Sequence, residues 1–149
     1  MGRPTDFMTN TRRIIKLYES MLRTICEQYQ LTLIEATSLS FLYNNPGIDT
    51  AADIAELRML SKGNVSLAVE SLIQKGLLKR EQDGADRRRI HLHPTPAAAP
   101  IMVSLEDVRV QFQNEVFSGF SPHDLEVLDR INRRIAENTT NAMARRDGA

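Results

Sequence analysis

The order of the short patterns between residues 50 and 95 narrows the choice of folds more than any other feature of this chain. Thr50 can cap a short helix over "AADIAELR", with Ile54 and Leu57 turned inward. A break, "RML", follows, and Ser61 can cap a second helix over "KGNVSLAVESLIQKG". There Val65, Ala68, Val69, Leu72 and Ile73 recur at helical spacing as one inner face, and Gly76 supplies the stop. "LLKRE" then reads as a strand, "DGAD" as a turn and "RRIHLH" as a returning strand with Ile90 and Leu92 inward. Two helices joined by a tight turn make a helix-turn-helix, and a hairpin directly behind it makes a winged helix.

Long helical patterns flank this middle part. Residues 8–29 place Ile14, Tyr18, Met21, Leu22, Ile25 and Tyr29 on one stripe, and Thr32 can cap the next helix, which ends at Pro46-Gly47. After Pro94 and Pro96 a long helix is expected through "AAAPIMVSLEDVRVQFQNEVFSGF". Another starts at Ser121 as N-cap, with Pro122 at the first position and Asp124 three residues after the cap. Its stripe is Leu125, Leu128, Ile131, Ile135 and Met143. These outer helices carry more apolar surface than a wing domain can cover, which points to a second copy of the chain. The expected fold is therefore mainly α with a small β-hairpin wing. It is a single domain over 1–149, with a DNA-binding part at 31–95 and helical dimerisation parts at 8–30 and 96–147.

Composition removes several function classes. No apolar run is long enough for a membrane span and no leader-like pattern opens the chain, so a cytoplasmic protein without a membrane partner is expected. A lone cysteine, Cys26, excludes an internal disulfide framework. It reads as a packed thiol or, with a lowered pKa and access, as a sensor. Cys-x-x-Cys pairs, a glycine-rich phosphate loop and a nucleophile elbow are absent, so no enzyme and no cofactor are expected. His91 and His93 share one strand face, as metal ligands can, but no third ligand is recognisable and no metal site is expected. The formal net charge is zero, yet residues 58–95 carry eight basic and four acidic side chains. That local excess is what a phosphate backbone prefers.

Within the second helix of the helix-turn-helix, Lys62 suits a phosphate, Asn64 can bond an adenine edge bidentately, and Ser66 can reach either. Ser61 is either a contact or wholly a cap. Gly63 is unusual in a first helical turn, where close approach to DNA is one explanation and a tolerated glycine another. Arg87, Arg88 and Arg89 on a strand would point to alternate faces. Arg87 is then assigned to the minor groove or a phosphate, Arg88 to bracing the wing through Asp86 or Asp83, and Arg89 to a phosphate. A rival reading is a winged-helix protein-interaction module, whose same surface meets an acidic protein.

The segment 31–95 resembles the multiple-antibiotic-resistance regulator (MarR) family of bacterial transcription factors. Leu31-Thr32 opening a helix, Asp53-Ile54-Ala55 before the turn, and Ser61-Lys62 with Val65-Ser66 at the second helix carry the resemblance. So do Leu72, Lys75-Gly76-Leu77, Asp86-Arg87-Arg88, Leu92 and Thr95. Ala85 and Leu67 stand where the family commonly has an arginine and a polar residue. The resemblance implies a homodimeric repressor reading a pseudo-palindromic operator in double-stranded DNA. It also implies release by a small aromatic or phenolic effector near the junction of the dimer and DNA-binding parts, or by oxidation of a cysteine. Tyr18, Tyr29, Phe41, Tyr43, Phe112, Phe117 and Phe120 either line such a pocket or pack in core and interface.

Overall fold

The computed structural model describes residues 3–148. In chain order it has α1 (Pro4–Tyr29), α2 (Leu33–Asn44), α3 (Ala51–Leu57), α4 (Lys62–Gln74), β1 (Leu78–Gln82), β2 (Ile90–Pro94), a short 3₁₀ turn (Pro96–Ala98), α5 (Ala99–Val116) and α6 (Pro122–Asp147). This is the mainly helical fold with a hairpin wing that the residue pattern leads one to expect. Thr32, Thr50, Ser61 and Ser121 each accept a hydrogen bond from the backbone N–H three residues on, as N-caps. Gly76 (φ 76°) ends α4. The N–H of Leu77 returns to the Leu72 carbonyl and that of Gly76 to Ile73, the paired bonds of a Schellman stop. That turn aims the chain straight into β1.

The chain divides into two compact units, one up to Phe112 and one from Gln113. In the first, Leu22 and Ile25 of α1, Leu39 and Phe41 of α2, Ile54 of α3, Val65 and Leu72 of α4, and Ile101 and Leu105 of α5 are buried in one core. Leu78 and Leu92 close it from the hairpin, whose antiparallel register pairs Leu78 with Pro94 and Arg80 with Leu92. Phe41 is 1 % exposed, so truncating it to alanine should cost about 3–5 kcal/mol. The second unit holds the end of α5, an edge-to-face pair of Phe117 and Phe120 at 5.7 Å, and α6. No residue of α6 is buried.

Several expectations change. α1 begins at Pro4 rather than residue 8, proline being suited to a first helical turn. Leu57 is exposed, not inward: α3 stops there, and Ile54 with Ala55 supplies its buried side. Ile14 is at the surface, so the stripe of α1 is covered only from Tyr18 onward. The arginines do not lie on a strand, because β2 starts at Ile90 and Arg87, Arg88 and Arg89 belong to the wing loop.

Candidate nucleic-acid interface

α4 divides cleanly by face. Val65, Ala68, Val69 and Leu72 are buried, whereas Lys62, Gly63, Asn64, Ser66, Leu67 and Glu70 are exposed. The Ser61 hydroxyl accepts the Asn64 N–H at 3.2 Å, so it works as a cap. The Asn64 side chain is exposed on this face, and its amide carries both a donor and an acceptor.

The wing loop is folded by its own acids. Asp83 Oδ2 accepts the N–H groups of Ala85 and Asp86 at 2.9 and 2.8 Å, a side-chain turn of the kind aspartate favours. The loop closes where Asp83 N–H donates to the Arg89 carbonyl at 2.9 Å, and Gln82 Nε2 donates to the Arg87 carbonyl at 3.0 Å. Asp86 Oδ1 accepts the Arg88 N–H at 3.0 Å. Arg88 is therefore held by its backbone. Its guanidinium is 3.9 Å from Asp86, with the side chain 96 % exposed, an ion pair too long and too wet to brace anything. All three guanidinium groups project from a loop whose backbone is fixed.

A brace with no local signature in the chain lies beneath this loop. His91 Nδ1 is 2.6 Å from Asp49 Oδ1, and His91 Nε2 is 2.7 Å from Asp83 Oδ1. Only the protonated ring donates from both nitrogens. Asp49, then Asp83, push the His91 imidazole above its ordinary value. His91, with the Asp86 and Ala85 N–H groups, holds Asp83 down to about 2. Asp49 sits just before α3, and its carbonyl also accepts the Leu92 N–H at 2.9 Å. The wing is thereby tied to the helix-turn-helix. His93 lies 3.2 Å from Glu81, and among the described residues no group of three or more His, Cys, Asp or Glu side chains is placed to hold a metal ion.

Two further ties orient α4. Arg80 of β1 grips Glu70 with contacts of 2.7 and 2.9 Å. Lys75 Nζ donates to buried Glu35 at 2.9 Å and to the Gln30 carbonyl at 2.7 Å, while Ser71 Oγ donates to the same Glu35 oxygen at 3.0 Å. Burial pushes the Glu35 carboxyl up, but the Thr32 N–H, Lys75 and Ser71 outweigh it and hold it below its usual value. Between α4 and the wing is an open cleft of about 510 Å³ lined by Thr50, Ser66, Glu70, Arg80, Arg88 and Arg89.

Comparison with known proteins bears on this arrangement. Residues 29–89 match the model of the MarR family. That segment is a MarR-family segment. The fold of the larger chain is similar to that of the transcriptional regulator PA3341, with a TM-score of 0.79 at 20 % identity over 91 % of this chain and 98 % of that one. It is also similar to MepR of S. aureus, solved as a DNA complex, with a TM-score of 0.71 at 19 % identity over 93 % and 99 %. A third is BpsR of Bordetella bronchiseptica, described as regulated in DNA binding by 6-hydroxynicotinic acid, with a TM-score of 0.66 at 19 % identity over 88 % and 98 %. The chain thus has the fold of MarR-family transcriptional regulators.

Beside the MarR-family segment, α1 and α5 help to enclose a second cleft of about 410 Å³. Tyr18, Leu22, Ile34, Thr37, Arg58 and Phe112 are among its walls. Tyr18 and Phe112 meet edge to face at 5.1 Å, and the Arg58 guanidinium lies 5.1 Å over the ring of core residue Phe41. Cys26 packs against the core, and burial, with Glu35 nearby, pushes its thiol up. That shift is opposite to what a redox sensor needs. Among the described residues no helix is long and apolar enough to cross a membrane.

Proposed function

We propose that this protein is a dimeric, cytoplasmic, sequence-specific DNA-binding transcriptional regulator of the MarR family, a repressor relieved by a small aromatic or phenolic effector. The observation that carries the reading is the cleft shared by the exposed face of α4 and the arginine-bearing wing loop. Ser66, Arg88 and Arg89 border that cleft, while Lys62 and Asn64 are exposed on the same helix and Arg87 in the same loop. In this reading Lys62 meets a phosphate, Asn64 reads an adenine and Ser66 reaches either, Ser61 being the cap that positions them. Arg87 enters the minor groove or meets a phosphate at the wing tip, while Arg88 and Arg89 face the backbone along the cleft.

The apolar stripe of α6 supports a homodimer. Leu125, Leu128, Ile131, Ile135 and Met143 are each more than a third exposed, and a second copy would cover them by two-fold symmetry. The aromatic cleft with Arg58 supports an effector of aromatic and acidic character, since a guanidinium complements a carboxylate or phenolate.

The test is binding to duplexes selected from a random pool, measured across salt concentrations. A straight fall of log affinity against log salt, with selected duplex preferred over random, is expected. Equal binding to both, or none, would instead favour a module that meets an acidic protein.

A further inference from the structure

The outward side of α4 carries one residue that neither the fold nor hydrogen bonding accounts for. Leu67 is 71 % exposed, midway along a helix that buries Val65, Ala68, Val69 and Leu72. It stands three residues after Asn64 and four after Gly63, so the three share one strip of the helix surface. Gly63 has nothing within 4 Å of the place a Cβ would take and no positive φ. Neither packing nor backbone geometry demands glycine there, and its bareness leaves the strip beside Leu67 low enough for a close-approaching surface. Three residues beyond Leu67 is Glu70, whose charge is neutralised by two contacts from Arg80. On the exposed face of α4, Leu67 is the single large apolar side chain, set among Lys62, Asn64, Ser66 and Glu70.

A protein partner would call for a contiguous apolar patch, whereas a lone leucine between a hydrogen-bonding amide and a neutralised acid fits a target with one isolated apolar group. The major groove offers such a group, the 5-methyl of thymine. We infer that Leu67 contacts a thymine methyl beside the base read by Asn64, and so determines specificity at that position. This rests on the DNA-binding reading above and names part of what that reading recognises.

The experiment uses the full chain and the duplex recovered by selection from a random pool, remade with uracil in place of thymine at one symmetric position at a time. Uracil removes the methyl and leaves the pairing unchanged. At one position the wild-type protein should lose about fourfold in affinity per half-site, the worth of one buried methyl. The Leu67→Ala protein should not distinguish thymine from uracil there, and its thermal midpoint should stay close to wild type because the side chain is mostly exposed. Uracil tolerated at every position, or equal losses in the two proteins at each position, would overturn the inference while DNA binding itself stands. If selection recovers no duplex, the DNA-binding reading fails and the thymine contact fails with it.

Discussion

α4 and α6 both start on a serine cap, and from there they are built in opposite ways. At α6 the box is closed: Asp124 donates its N–H to Ser121 Oγ and returns its carboxylate to the Ser121 N–H at 3.0 Å. Arg145 and Arg146 complement the dipole at the far end. Its polar ends are satisfied while its apolar side is left open. α4 has Asn64 where the box wants an acid, with no acidic residue in the first turn, and it buries Val65, Ala68, Val69 and Leu72 of its inner face. Boxes closed by Glu35 and Asp53 at α2 and α3 show that α4 departs from a pattern the chain otherwise keeps. A helix whose polar start is unfinished and whose core side is finished is arranged to meet something polar. One finished at its ends and bare along its side is arranged to meet something apolar.

The contrast can be broken in several places. The largest effect is expected from Leu128→Lys, which sets a charge in the bare side of α6. Loss of a central interface anchor should weaken dimerisation by about 2–4 kcal/mol, read by sedimentation, with helicity retained because Leu128 is not buried within its own chain. Asn64→Asp would give α4 the ending that α6 has. It should raise stability by roughly 0.5–1 kcal/mol yet lower specific DNA affinity by at least about 1–3 kcal/mol. Unchanged affinity would show that Asn64 is not at the interface. Arg87→Ala, lost from both subunits, should flatten the slope of log affinity against log salt by about 2, with little change in sequence preference unless a narrow A·T-rich groove is read. Ser121→Ala opens the closed end of α6 and should cost about 1 kcal/mol of stability without changing preference among duplexes.

The smallest effect is the pH response of the wing. The folded His91 value lies above the unfolded one, so its contribution is fully present below the ordinary histidine range, about pH 6.5. It is lost as pH rises through the raised value. Asp83 has the opposite sign: its contribution is present above its ordinary value of 3.8 and lost as pH falls toward about 2. Amide protection in the wing loop, taken relative to the intrinsic base-catalysed exchange rate, should fall on the alkaline side in wild type, and in His91→Gln it should be low throughout with that pH dependence removed.

The parts legible in the sequence are those encoded locally. Caps, the helical spacing of Val65, Val69 and Leu72, and the glycine stop at Gly76 act within a few residues, so the winged helix could be read from order alone. The Asp49–His91 and Glu35–Lys75 ties join residues 42 and 40 positions apart, and such polar pairs leave no periodic trace. The wing was legible only in outline. An aspartate opening a short loop, as Asp83 does, favours a side-chain turn, but the bond from Asp83 to Arg89 widens the loop past "DGAD" and removes all three arginines from the strand. Leu57 misled because a stripe was extrapolated to the last residue of α3, where the side chain is exposed.

Lys75 has a mechanical consequence. Its ammonium fastens the end of α1, the first turn of α2 and the tail of α4 at one point, through the Gln30 carbonyl and Glu35. α4 is therefore a lever pinned at its tail, with its head at Lys62. Its thirteen residues make an arm of roughly 20 Å, so a tilt of about 5° about the pin sweeps the head by nearly 2 Å. That sweep exceeds the tolerance of a hydrogen bond to a base edge, whereas the pin itself hardly moves.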